Sequence, residues 1–221
     1  MNKSRVDFVC EEIIKIIIEN NLEDGDKLPN ELELSKNLNV GRGTVREAMK
    51  KLESQNVLII KQGSGTFVSD KRGVSDDPIG LRFFKDRIKL AQDLLDIRIL
   101  IEPFIAERAA IHADINDIAL MKKYLLKVED DISRNVDHSN NDVLFHKAIA
   151  KASRNLVIPK LLPIINKSIK LITNAAYREL TEVTIDHHRE IFKAISEHNY
   201  ILAKENMIVH INYIRKYISN I

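Results

Sequence analysis

GDKLPNELELSKNLNVGRGTVREAMKKLESQNVLIIKQGSGTFV, residues 25–68, is the stretch whose reading decides the fold. Its middle, VGRGTVREAMKKLE at 40–53, has helical periodicity. Val45, Ala48, Met49 and Leu52 project from one face, while Arg42, Arg46 and Lys50 follow each other at four-residue intervals along another. One face packs and the other is a basic ridge. Upstream, Asn30 with Glu33 three residues later has capping-box spacing, and Pro29 limits backward extension, so a short helix starts there. Downstream, Val57-Leu58-Ile59-Ile60 and Thr66-Phe67-Val68 are short β-prone runs on either side of Gln62-Gly63-Ser64-Gly65, which predicts a hairpin.

Working outward, a helix is predicted from about Val6 to Asn20, broken by the acidic, Gly-containing turn at residues 22–26. Residues 71–80 concentrate charge, Gly and Pro, and are expected to link a domain at 1–70 to one at 81–221. From about Leu81 onward the pattern is helical, with Pro103, Pro159 and Pro163 inside it. Breaks near Asp114, Asp137, residues 153–155, Thr181 and residues 198–199 predict six or seven helices in an antiparallel bundle. The fold class expected is mainly α: a winged helix-turn-helix with a small β-hairpin wing, followed by an all-helical domain.

The bulk numbers bound the function. The 221 residues carry a formal net charge of +2 and 44% hydrophobic residues, enough for a core. Residues 1–70 hold 10 Lys and Arg against 12 Asp and Glu, so any attraction to a polyanion is local. It is concentrated at 41–62, where Arg42, Arg46, Lys50, Lys51 and Lys61 face only Glu47 and Glu53. Cys10 has no partner for an intrachain disulfide, which fits a reducing compartment. The apolar run IIKIII near the N-terminus is interrupted by Lys15 and flanked by Glu11, Glu12 and Glu19, so it suits neither a signal peptide nor a membrane span. A cytoplasmic protein with no membrane partner is expected.

A basic ridge by itself is equally a solvated helix face. The order around it is more particular: a short helix, a turn, a basic helix and a Gly-tipped hairpin are the parts of a winged helix-turn-helix, whose second helix enters the major groove of DNA. Gly41, Gly43 and Thr44 leave room for a phosphate backbone at the helix N-terminus, and arginine suits bidentate contact with guanine. Residues 25–68 closely resemble the DNA-binding domain of the GntR family of bacterial regulators. The resemblance implies DNA contacts from Arg42 and Arg46, a phosphate contact from Thr44, and a wing tip at Gly63 in the minor groove. Gly41 stands where the family usually has Ser or Thr, and Leu32 where many members have a DNA-contacting Arg, so an operator sequence does not carry over.

In the C-terminal half, Asp142 and His146 are four residues apart and share a helix face, a spacing that suits a metal chelate and equally a surface hydrogen bond. His188 and His210 lie on two further predicted helices with Asn199 near the turn between them, so antiparallel packing brings both rings towards one place. One carboxylate and three imidazoles suit zinc foremost, or nickel, iron or manganese. His112, His138, His187 and His198 are read as exposed or capping. Arg98 lies on the face of Leu94, Ile101 and Ile105 and needs an anion, either Glu102 one turn on or the carboxylate of a bound molecule.

DLLDIRILIEPFIAERAA (93–110), NDVLFHKAIAKASRN (141–155) and HHREIFKAISEHNYILAKENMIVH (187–210) look like the FCD effector-binding domain of the FadR subfamily. The resemblance implies a divalent metal held by Asp142, His146, His188 and His210, and a small organic acid effector met by Arg98, with Thr184 one turn before His188 as a further effector contact. It also implies a homodimer on a palindromic operator. A metalloenzyme is the competing reading, because such a ligand set with an open position activates water or a carbonyl. The chain has no H-E-x-x-H motif and no second carboxylate recognisable as a general base, which disfavours it.

Overall fold

A computed structural model describes residues 4–75, 77–166 and 181–218 of the chain. It divides after Ile79 into two compact units, Met1–Ile79 and Gly80–Ile221.

In the first unit, α1 (Arg5–Glu19) is opened by a capping box between Ser4 and Asp7, and α2 (Glu31–Asn37) by the expected one between Asn30 and Glu33. The third helix, α3 (Arg42–Ser54), starts at Gly41, whose lack of a side chain leaves the first-turn N–H groups without a side-chain cap. Val45, Ala48, Met49 and Leu52 of α3 are buried with Val9, Ile13 and Ile17 of α1, Leu34 of α2 and Leu58 and Val68 of the hairpin. This single apolar cluster gathers every element of the unit.

The hairpin pairs β1 (Leu58–Lys61) with β2 (Gly65–Val68), antiparallel, Leu58 opposite Val68 and Lys61 opposite Gly65. Its tip needs glycine: φ is +75° at Gly63 and +121° at Gly65, and a Cβ on Gly65 would stand 2.6 Å from Cε of Lys27. β2 is also laced to the segment before α2, where Leu28 N–H donates to Thr66 O and Val68 N–H to Asp26 O. On the other side, Ile60 N–H donates to the Glu53 carboxylate at the end of α3. After β2 the chain stays on this unit for several residues: Gly73 N–H donates to Asn56 O, and Asn56 Nδ2 to Val74 O.

The second unit is all helical among its described residues: a 3-10 turn (Leu81–Phe83), then α4 (Arg87–His112), α5 (Ile115–Ser133), α6 (Ser139–Ala152), α7 (Ile158–Ile165), α8 (Thr181–Ser196) and α9 (Tyr200–Ile218). Asp114 caps α5 with a capping box, and Pro159 occupies the first turn of α7, where its missing N–H costs nothing. The break expected near Thr181 borders residues 167–180, which lie outside the described residues. The last two helices fold back on each other through residues 197–199, and Asn206 Nδ2 donates to Glu190 O across them. Helix α4 packs against α6, α8 and α9, so its inner face looks onto all the helices that carry the candidate ligands. No helix of the described residues is long and apolar enough to cross a membrane.

Candidate metal centre and nucleic-acid interface

Helix α6 carries Asp142 and His146 one turn apart, α8 carries His188 and α9 carries His210, and all four side chains are buried. The fold brings them together. Nitrogen atoms of His146, His188 and His210 lie within 4.8 Å of one another. Asp142 Oδ1 is 3.2 Å from His188 Nε2 and 3.7 Å from His146 Nε2. The rings of His188 and His210 have centroids 4.7 Å apart, and Phe145 closes one side with its centroid 4.7 Å from that of His188.

Asp142 Oδ1 and both ring nitrogens of His188 and of His210 are buried with no hydrogen-bond partner among the described residues. Buried polar atoms are costly in that state, about 1–3 kcal/mol each. One nitrogen of each of these rings lies close enough to the others, and to His146, to serve a single cation. Burial holds His188 down at about 3 and His210 well below the usual histidine range, so both rings are neutral near neutral pH and offer lone pairs. The donor set and its protonation state fit a divalent transition metal.

Sequence reading missed the group behind His146. Glu102, on α4, sets Oε2 2.6 Å from His146 Nδ1 and Oε1 2.6 Å from Arg98 Nε. A carboxylate this close to Nδ1 suits the tautomer that carries its proton there and presents Nε2 to the other ligands. Burial alone would raise the Glu102 carboxyl, but the charges and hydrogen bonds of Arg98 and His146 prevail and hold it at about 2. No local signal pointed to this contact, because 44 residues separate Glu102 from His146.

Arg98 is 1% exposed. It pairs with Glu102, and its Nη2 lies 3.4 Å from His146 Nε2, at the edge of the histidine cluster. Its Nη1 is buried without a hydrogen-bond partner among the described residues. The two anions weighed for Arg98 are therefore compatible, since Glu102 occupies one side of the guanidinium and Nη1 stays available. Thr184 is buried on α8, one turn before His188.

Three other histidines correct the expectation of exposure, the first being His112, half-buried at the end of α4 with its Nε2 shielded from solvent. His138 is 6% exposed at the start of α6 and makes no side-chain cap bond there. His187 is half-buried against Tyr213 and His210. His198 does act at a helix end: φ is +57° and Nδ1 lies 2.8 Å from Ala110 O.

On the first unit, Arg42, Arg46 and Lys50 are exposed along α3 opposite its buried face, Thr44 is half-buried near the helix start, and Gly63 is exposed at the hairpin tip. Lys61 stacks over Phe67, its Nζ 4.8 Å from the ring centre, so the hairpin flank is also basic. Arg46 meets Glu31 of α2 side-on, with Nη2 2.7 Å from Oε2.

Residues 5–68 match the gntR family of bacterial regulatory proteins, and residues 93–213 match the FCD domain. An HTH-type transcriptional regulator of Bacillus subtilis, YcbG, is 30% identical over 94% of this chain and 87% of its own length. The Uxu operon regulator of Haemophilus influenzae is 32% identical over 86% of this chain and 73% of its own. A solved structure of a Streptococcus agalactiae GntR protein is 40% identical, with a TM-score of 0.86 over 96% of this chain and 99% of that one.

Proposed function

The chain belongs to the GntR family of bacterial regulatory proteins and carries an FCD domain, and from that premise we propose a cytoplasmic, homodimeric regulator whose grip on a palindromic operator changes when a small organic acid binds at a metal centre in the helical unit. Family and relatives are transcriptional regulators rather than enzymes, so the metalloenzyme reading is set aside.

The reading of the helical unit rests above all on the convergence of three buried imidazoles and a carboxylate from three helices. Asp142, His146, His188 and His210 would hold the metal, zinc foremost, and a bound metal supplies a Lewis-acidic anchor for a carboxylate oxygen. Arg98 Nη1 supplies a charge-assisted hydrogen bond to the same anion, and Thr184 a hydroxyl. Glu102 keeps His146 and Arg98 oriented while this happens. The linker proposed at 71–80, between domains at 1–70 and 81–221, starts on the first unit through Gly73 and Val74 and would pass the change on.

On DNA, α3 lies in the major groove with Arg42 and Arg46 towards bases or phosphates and Thr44 beside a phosphate, while Gly63 leads the hairpin into the minor groove. The uncapped N–H groups at Gly41 favour a phosphate there. The deciding experiment measures metal content of the purified protein, then binding to a duplex selected from a random pool, with and without a panel of small mono-, di- and hydroxycarboxylates. Full metal occupancy and an affinity shift with one acid class support the proposal. Stoichiometric metal with no response to any acid reduces the centre to a structural one, and absence of sequence-selective DNA binding sinks the regulator reading for this chain.

A further inference from the structure

Glu31 is the first residue of α2, and fifteen residues later in sequence Arg46 leans back onto it. The carboxylate accepts from Nε at 3.0 Å and from Nη2 at 2.7 Å, which is the side edge of the guanidinium. The Nη1 amino group and the outward hydrogen of Nη2 form the terminal edge, and with the side chain 59% exposed this edge is open. Two parallel donors on one edge are what the N7 and O6 acceptors of guanine accept in the major groove.

A carboxylate here also has an electrostatic effect that works against DNA binding. Glu31 sits in the field of Arg42 and Lys50 as well as Arg46, and the hydrogen bond from Arg46, with these cations, holds its carboxyl below its usual range. It cancels about one charge of the basic ridge, and sequence-independent affinity is set by how many phosphates such a ridge neutralises. Its side-on grip, in turn, narrows the freedom that lets an arginine reach for whichever phosphate is nearest.

We propose that Glu31 is a specificity-determining positioning residue: it fixes Arg46 by the side edge so that the terminal edge meets a guanine, lowering affinity for DNA in general and raising discrimination at one base pair. The inference rests on the placement of α3 in the major groove.

Wild type, Glu31→Gln, Glu31→Ala, Arg46→Ala and the Glu31→Gln/Arg46→Ala double variant of the full chain are titrated into two duplexes. One is recovered from a random pool with wild-type protein, and the other is its scrambled counterpart. Glu31→Gln is expected to lower the ratio of the two affinities about tenfold or more, with tighter binding to the scrambled duplex and a salt dependence steeper by about one phosphate. The lost discrimination falls at a single guanine, and in the Arg46→Ala background the Glu31 change leaves the ratio where it was. A role confined to helix stability weakens both duplexes by the same factor, and that outcome overturns the proposal, as does an unchanged ratio. If wild type selects no sequence, the DNA reading falls together with this one. If it selects a sequence and both Glu31 variants discriminate as well as wild type, only this inference falls.

Discussion

Glu102 Oε2 lies 2.6 Å from His146 Nδ1, and this contact ties the first helix of the C-terminal unit to the cluster of candidate metal ligands. The other oxygen holds Arg98 at 2.6 Å, so one buried carboxylate orients a ligand and a candidate effector contact together.

Glu102→Gln is expected to lower metal affinity about 10- to 100-fold, the usual effect of losing a carboxylate behind a ligating histidine. It also leaves Arg98 buried without its counter-charge, which should cost about 3–5 kcal/mol of stability. Metal titration and denaturant unfolding check the two effects separately. Unchanged metal affinity would mean that His146 needs no orienting partner.

His146→Ala, His188→Ala and His210→Ala should each reduce metal content after dialysis by about tenfold or more, since a lost ligand costs at least as much as a lost supporting group. His112→Ala should not. Stripping the metal from wild type with a chelator should lower the melting temperature, because bound metal contributes about 2.7 kcal/mol of stability where free metal stands at a hundred times its dissociation constant. Elemental analysis and thermal melting decide both points.

Arg46→Ala should weaken binding to a selected duplex by about 1–3 kcal/mol without unfolding the protein, because Arg46 is exposed and packs no core. Wild-type affinity should fall steeply with added salt, reporting the phosphates that Arg42, Lys50 and their neighbours neutralise. A fluorescence-anisotropy series across salt concentrations measures both quantities, and a flat salt response would remove the phosphate contacts from the account.

Truncating Arg98 to Ala is a poor probe, since it strands the Glu102 carboxylate in the interior. Arg98→Lys keeps the charge and loses the fork. It should retain metal and DNA binding while weakening an effector carboxylate by about 1.5–3 kcal/mol, the worth of a hydrogen bond to a charged group. Operator affinity should then no longer shift by the roughly 1–3 kcal/mol expected of allosteric coupling. Calorimetry with the active acid tests this, and normal effector binding by Arg98→Lys would confine Arg98 to its pair with Glu102.

Local periodicity made much of this legible from sequence. The buried face of α3, the Asn30–Glu33 capping box, the hairpin and the single turn between Asp142 and His146 are all set by residues within a few positions of one another. The meeting of His188 and His210 was reachable because a turn at residues 197–199 dictates which residues of two successive helices face each other. Glu102 with His146, and Glu31 with Arg46, were not reachable in that way. Each pair joins separate helices at a distance set by packing, and neither residue of a pair carries a sequence mark of the other. His138 was misread because a residue at a helix start has no periodic neighbours to show which way it turns.

The lacing of β2 to the residues before α2 bears on the timing of order in the hairpin. A lone two-stranded hairpin is marginal in water, and fixing each backbone residue costs about 1–2 kcal/mol in entropy. Here the hydrogen bonds from Leu28 and to Asp26 make the strand the middle of a minimal three-stranded arrangement, and Glu53 clamps the outer strand to the end of α3. These bonds favour a hairpin shaped as the unit folds rather than one ordered only by a partner. On the proposed placement in DNA, its tip and the basic helix would meet the two grooves as one preshaped surface, so groove width would be tested together with base sequence.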